Sequence, residues 1–171
     1  MRSVKNEMPH NQAHQLLKPL QPHQIIPLGD QYDCRLQPVI DHWRSLLSGD
    51  QLAPMYKDLD LLHLVEYLAN AAILEISESG ADIYYRYYGN NVAQMTGFDP
   101  TGKRMSDYSN FNLLEKWLPI FRQVAETCSP FAYQAAFDNV DKGHVVVQNV
   151  LAPFCRSDGR VSCFLSYAIE L

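Results

Sequence analysis

Cysteine is scarce, with only Cys34, Cys128, Cys155 and Cys163 in 171 residues. These four show neither C-x-x-C spacing nor the density of a disulfide-stapled fold, so a reduced, cytoplasmic location is expected. No apolar run approaches the roughly eighteen residues that span a bilayer, and the first residues lack the apolar stretch of a signal peptide. Clustered Lys and Arg are missing too. With a net charge of -5 and a pI of about 5.6, a surface for nucleic acid is not expected, because phosphate binding needs grouped cations. There is no Gly-rich phosphate loop, H-E-x-x-H, G-x-S-x-G or metal-spaced Asp cluster. A Cys–His nucleophile would have to be assembled in space from Cys155 or Cys163 with His144. Cys163 falls on the inward side of a strand pattern and reads as a small inert hydrophobe, and Cys155 reads as a loop residue, so the expectation is that the chain is not an enzyme.

What is present suits one globular domain: 47% apolar and 19% charged residues are ordinary for a chain that buries a single core. Residues 1–29 are rich in Gln, His, Pro and Asn, with Pro9, Pro19, Pro22 and Pro27 against helix, and read as a flexible tail. His10, His14 and His23 lie in it without geometry for a metal. Residues 30–70 read as an N-terminal helical cap. Leu36, Val39, Ile40, Trp43, Leu46 and Leu47 fall on one helical face over 33–48, and Gly49 closes it. A second helix is expected over 61–70, capped by Asp58 or Asp60, with Leu62, Val65 and Leu68 or Ala69 inward.

Residues 71–171 read as the core. Strands are expected over 72–77 and 83–88, then a helix over 112–127 interrupted by Pro119, then strands near 131–138, 144–154 and 161–170. In the last strand Val161, Cys163, Leu165, Tyr167 and Ile169 are taken to face the core. The second strand, Ile83-Tyr84-Tyr85-Arg86-Tyr87-Tyr88, is aromatic on both alternating faces, so something should cover its outer side, either the N-terminal helix or a partner chain. It runs through Gly89 into a short helix for which Asn90 or Asn91 could be the N-cap. Gly97 ends that helix, and Gly102 makes a second turn.

This strand, Asn-Asn helix, Gly, Gly order resembles the PAS family. Tyr85-Arg86-Tyr87-Tyr88-Gly89 with Gly97-Phe98-Asp99-Pro100-Thr101-Gly102 is most similar to its short single-domain bacterial variant. The resemblance covers about residues 35–171. It implies an α+β fold with a five-stranded antiparallel sheet in the order 2-1-5-4-3, helices on one face, and the N-terminal amphipathic helix added. It also implies a stand-alone sensory or regulatory module that binds a small molecule in its cleft or signals through protein contacts. The partner surfaces would be the N-terminal helix and outer sheet face, including a homodimer through Trp43, with no nucleic acid and no membrane. The alternative is a ligand-free interaction scaffold with a filled core.

The cofactor stays open on this reading. A small organic ligand fits the resemblance, whereas flavin and haem are disfavoured. Cys34-Arg35 and Cys155-Arg156 do not sit in the Asn-Cys-Arg-Phe-Leu of flavin-binding relatives. Haem would need an axial ligand, for which His63 and His144 are the candidates, His42 lying on the N-terminal helix. The cleft residues expected are Tyr85, Tyr87, Met95, Met105, Trp117, Phe121, Tyr133 and Tyr167, with Gln148 as a polar contact. Such a list fits a filled aromatic core as well as a cavity. Arg86 and Asp99 are expected to pair and pin the small helices to the sheet.

Overall fold

The computed structural model describes residues 24–139 and 141–171. It begins with a short strand, β1 (Ile25–Pro27), followed by a 3₁₀ turn (Cys34–Leu36) and helix α1 (Gln37–Ser45). Next come β2 (Ala71–Ile76), β3 (Ile83–Tyr88) and helix α2 (Asn90–Thr96). A 3₁₀ stretch (Met105–Phe111) leads into α3 (Leu113–Thr127), and β4 (Phe131–Asn139), β5 (Gly143–Cys155) and β6 (Val161–Glu170) complete the chain. The strands form one antiparallel sheet in the order β1-β4-β5-β6-β2-β3. Without β1, that is the five-strand order 2-1-5-4-3, and the α+β fold is PAS-like.

The sixth strand departs from the expected tail. Ile25 pairs with Ala135 and Pro27 with Tyr133 at the free edge of β4. Proline is tolerated there because an edge strand leaves one side of its backbone unbonded. The three tail histidines lie outside the described residues.

Each face of the sheet buries its own core. On the inner face, α2 and α3 pack over Ala72, Leu74, Tyr85, Tyr133, Val147 and Phe164. Pro119 lies inside α3, which runs on as one helix instead of restarting. On the outer face, Val39, Ile40 and Trp43 of α1 pack against Ile73, Val150, Phe154 and Leu165. The Trp43 indole donates to Pro153 O at 2.6 Å, so the residue expected in a homodimer is spent within its own chain and is 4% exposed. The outer sheet face is likewise taken by the chain's own N-terminal segment. No helix among the described residues is long and apolar enough to cross a membrane.

The second expected helix is absent. Residues 61–67 form turns closed by short-range bonds such as Leu64 N to Leu61 O (3.1 Å) and Tyr67 N to Leu64 O (2.8 Å), before a 3₁₀ turn over Leu68–Asn70. Asp60 still caps, accepting from Leu62 N at 2.9 Å. Only Leu64 is anchored, whereas Leu62 and Val65, expected to face inward, are exposed. This stretch passes very close to Gly89, where a Cβ would meet Leu68 O at 2.3 Å and Ala69 O at 2.4 Å. Gly89 is therefore required by close approach and not by a turn, and it also takes the N-cap position of α2 that Asn90 or Asn91 was expected to hold.

Arg86 does not meet Asp99. Its Nε donates to Glu75 Oε2 at 2.7 Å, and Arg156 donates to the same oxygen at 2.9 Å. Asp99 instead accepts from the backbone and hydroxyl of Thr101 (2.9 and 2.6 Å), closing its own turn. The reason is a bulge: Ile73 pairs with Tyr87 but Leu74 with Tyr85, so Arg86 is the extra residue on β3.

Candidate functional site

The bulge also decides which side chains reach the inner face. One inserted residue reverses the alternation beyond it, so Tyr85 and Tyr88 both join the inner core while Tyr87 joins the outer one. Between the sheet and its helices the inner face encloses a cavity of about 400 Å³, within the size range of small-molecule sites. Its floor is Ala72, Leu74, Asn149, Ser166 and Ala168, and its wall is formed by Tyr85, Tyr88 and Tyr133. Its roof carries Met95 of α2, Met105, and Trp117 and Phe121 of α3. The helical spacing of Leu113, Trp117, Phe121 and Val124 turns all four inward.

Six of the nine residues expected in the cleft surround this space: Tyr85, Met95, Met105, Trp117, Phe121 and Tyr133. Three do not. Tyr87 lies on the outer face, its hydroxyl donating to Leu68 O at 3.0 Å. Gln148 also points outward, accepting from Asp33 N at 2.7 Å and donating to Gln134 Oε1 at 3.3 Å. Tyr167 stacks edge-on against Tyr67 at 5.6 Å, in the outer core. The expectation that the odd positions of β6 alone face the core fails in the same way. Cys163, Leu165, Tyr167 and Ile169 belong to the outer core, and Phe164, Ser166 and Ala168 meet the cavity side.

The polar groups of the cavity are therefore Asn149 and Ser166, one residue away from the positions expected. Both are buried and bonded to each other, Asn149 Nδ2 to Ser166 Oγ at 2.8 Å and Ser166 Oγ to Asn149 Oδ1 at 3.1 Å. The Tyr88 hydroxyl donates to Thr96 Oγ1 at 3.3 Å. Tyr85 and Tyr133 are 4% and 5% exposed; their hydroxyls make no hydrogen bond among the described residues and keep some open surface, since the closed-off atoms without a partner there are His42 Nε2 and Ser162 Oγ. Burial pushes the Tyr88 phenol up to about 12 and raises those of Tyr85 and Tyr133 as well, because a phenolate is poorly solvated there. All three are hydrogen-bond donors near neutral pH.

Charge is confined to the rim. Asp138 is exposed and faces His144 at 3.4 Å, and the lining includes no Lys, Arg, His or Cys among the described residues. His63 is exposed beside Asp60, 3.0 Å away, so neither histidine weighed as an axial ligand lines the cavity. Cys163 is buried on the outer face, its thiol raised first by burial, and Cys155 is raised for the same reason.

One structural residue falls between the strands expected near 131–138 and 144–154 and carries no expected role. Asn139, 5% exposed, ends β4 and donates through Nδ2 to Gln94 O (2.8 Å) and Met95 O (3.0 Å). Its Oδ1 accepts from Asp141 N and Lys142 N. It ties the end of α2 to the β4–β5 hairpin, beside an open depression that shares Gly97 and Phe98 with the cavity. Gly97, at φ +84°, lies 3.4 Å from this amide when given a Cβ. A conserved-type signal was not needed to suspect it, since an Asn at a hairpin base commonly bonds backbone two residues on, but its reach to α2 was not readable.

No family model matches the chain, and no curated protein does. Solved structures do. The chain is similar to an RNA-binding light-oxygen-voltage receptor (13% identity, TM-score 0.47), covering 86% of this chain and 38% of that one. It thus spans well under half of that receptor's length. It is also similar to a sensory box histidine kinase/response regulator from Burkholderia thailandensis (9%, TM-score 0.41, 66% and 85% covered). A third similarity is to the PAS domain of an HTR-like protein from Haloarcula marismortui (11%, TM-score 0.42, 64% and 90% covered).

Proposed function

We propose that this chain is a cytoplasmic sensory or regulatory PAS-like module that takes a small molecule into its inner cavity and reports occupancy through protein contacts, without catalysing a reaction. The observation that carries the proposal is a cavity of about 400 Å³ onto which two tyrosine hydroxyls open without a partner among the described residues. A hydroxyl that faces such a space is free to donate, and a bound molecule would accept from it. A wall lacking His, Cys, Lys and Arg among the described residues supports binding over chemistry. The negative net charge supports a partner other than nucleic acid.

The output surface of this reading is the rim where Asn139 joins α2 to the β4–β5 hairpin, because Met95 touches both the cavity and that junction. The test is native mass spectrometry of protein purified from its own cells. A retained small mass, released on unfolding, is expected. A bare chain from every growth condition tried would instead favour the ligand-free scaffold.

A further inference from the structure

We infer that the occupant of the cavity is an uncharged aromatic molecule bearing a hydrogen-bond acceptor, which the hydroxyls of Tyr85 and Tyr133 engage. This rests on the small-molecule reading above and specifies its chemistry. The first ground is charge. A carboxylate or phosphate taken into this space would be desolvated with no cation among the described lining residues to meet it, a cost that buried ions do not sustain unpaired.

A cation fares no better. The one acidic group among the described lining residues, Asp138, is exposed at the rim and already faces His144.

The second ground is polarity. Two neutral O–H donors that line the cavity, both without a partner among the described residues, call for an acceptor on the ligand. Asn149 and Ser166, bonded to each other on the floor, place no further unpaired demand on it. The third ground is shape and softness. Met95 and Met105 in the roof are adaptable side chains with favourable sulfur contacts to ring edges, and aromatic walls reward aromatic ligands through offset or edge-on contact.

Four probes of one ring system test this: acetylnaphthalene, naphthoate, naphthylmethylammonium and naphthalene, titrated calorimetrically into the full chain. Acetylnaphthalene is expected to bind about tenfold more tightly than naphthalene, as one neutral hydrogen bond made in a dry site allows, and naphthoate and the ammonium are expected to bind more weakly still. Tyr85→Phe and Tyr133→Phe should each bring acetylnaphthalene towards naphthalene's affinity while leaving naphthalene's own unchanged. Neither substitution removes a hydrogen bond among the described residues, so an unaltered melting temperature serves as the folding control. Equal or tighter binding of naphthoate or the ammonium would overturn the inference and leave the small-molecule reading standing. Failure of all four probes on a chain that also carries no retained mass from its own cells would overturn both.

Discussion

The two faces of one sheet are made from the same strands and almost the same residue types, yet one is filled and the other is hollow. On the outer face, Val39, Ile40 and Trp43 of α1 are fully taken up, and most polar atoms close on each other, His42 Nε2 being the exception among the described residues. The Trp43 indole finds Pro153 O, Glu75 takes Arg86 and Arg156, and Gln148 takes Asp33 N. On the inner face, the rings pack among themselves but leave about 400 Å³, onto which two hydroxyls open without a partner among the described residues. Apolar burial alone therefore does not separate structure from site here. What separates them is open space with donors facing it.

The largest effect that should expose this difference is on the outer face. Trp43→Ala removes a buried indole and leaves Pro153 O unpaired, and should cost about 3–5 kcal/mol of unfolding free energy in a denaturant titration. The inner cavity's probe affinity should be unchanged below the new melting point. A loss under about 1 kcal/mol would mean that the outer core is as loosely filled as the inner one.

A matched pair of insertions sharpens the comparison at a smaller scale. Ala152 of β5 is fully buried in the outer core, and Ala168 of β6 lies on the cavity floor. Ala152→Leu should destabilise by about 1–3 kcal/mol through overpacking. Ala168→Leu adds the same atoms to open space and should leave stability within about 1 kcal/mol of the parent, since filling a void adds contacts. It should nonetheless abolish binding of acetylnaphthalene. Equal destabilisation by the two, with binding retained, would show that the two faces do not differ.

The comparison also explains what the sequence could and could not reveal. Ile83–Tyr88 and the inward stripe of α3 were legible because strand composition and a 3.6-residue rhythm are local signals. The parity of β5 and β6 was not. A strand with one wet side announces its inner face, but these two are apolar on both, so Gln148 and Tyr167 could stand in for Asn149 and Ser166 without any local conflict. Tyr87 was lost to a bulge at Arg86, which is set by how β2 and β3 meet and not by the sequence of β3. The pairing of Ile25–Pro27 was hidden for a similar reason, because three residues in a Pro-rich stretch become a strand only when the edge of β4 is there to receive them. The helical spacing of Leu62 and Val65 pointed to a face that the fold leaves in solvent.

The smallest expected effect lies in the cover of the outer face and is a matter of pH. His42 of α1 has its Nε2 buried without a partner among the described residues, and its ring lies 6.1 Å from that of His63, which in turn faces Asp60. Burial first, then the neighbouring His63, hold His42 below its ordinary 6.5, against a weaker opposite pull from Asp60. The folded chain therefore binds this proton less readily than the unfolded one. Its contribution to stability is complete above the ordinary histidine pKa and is lost as pH falls through that value towards the lower folded one. Amide exchange, corrected for its intrinsic pH dependence, should thus quicken in α1 and in residues 60–67 on acidification, and His42→Gln should remove the change. The amides of β6 and of β5 from Val147 onward, beneath the cavity, should not respond, because no histidine lines it among the described residues and His144 lies at the far end of β5, facing Asp138 at the rim. Acid loosening that spread equally to those strands would show the outer cover and the inner floor to be one cooperative unit, and the difference in their packing would then have no counterpart in their motion.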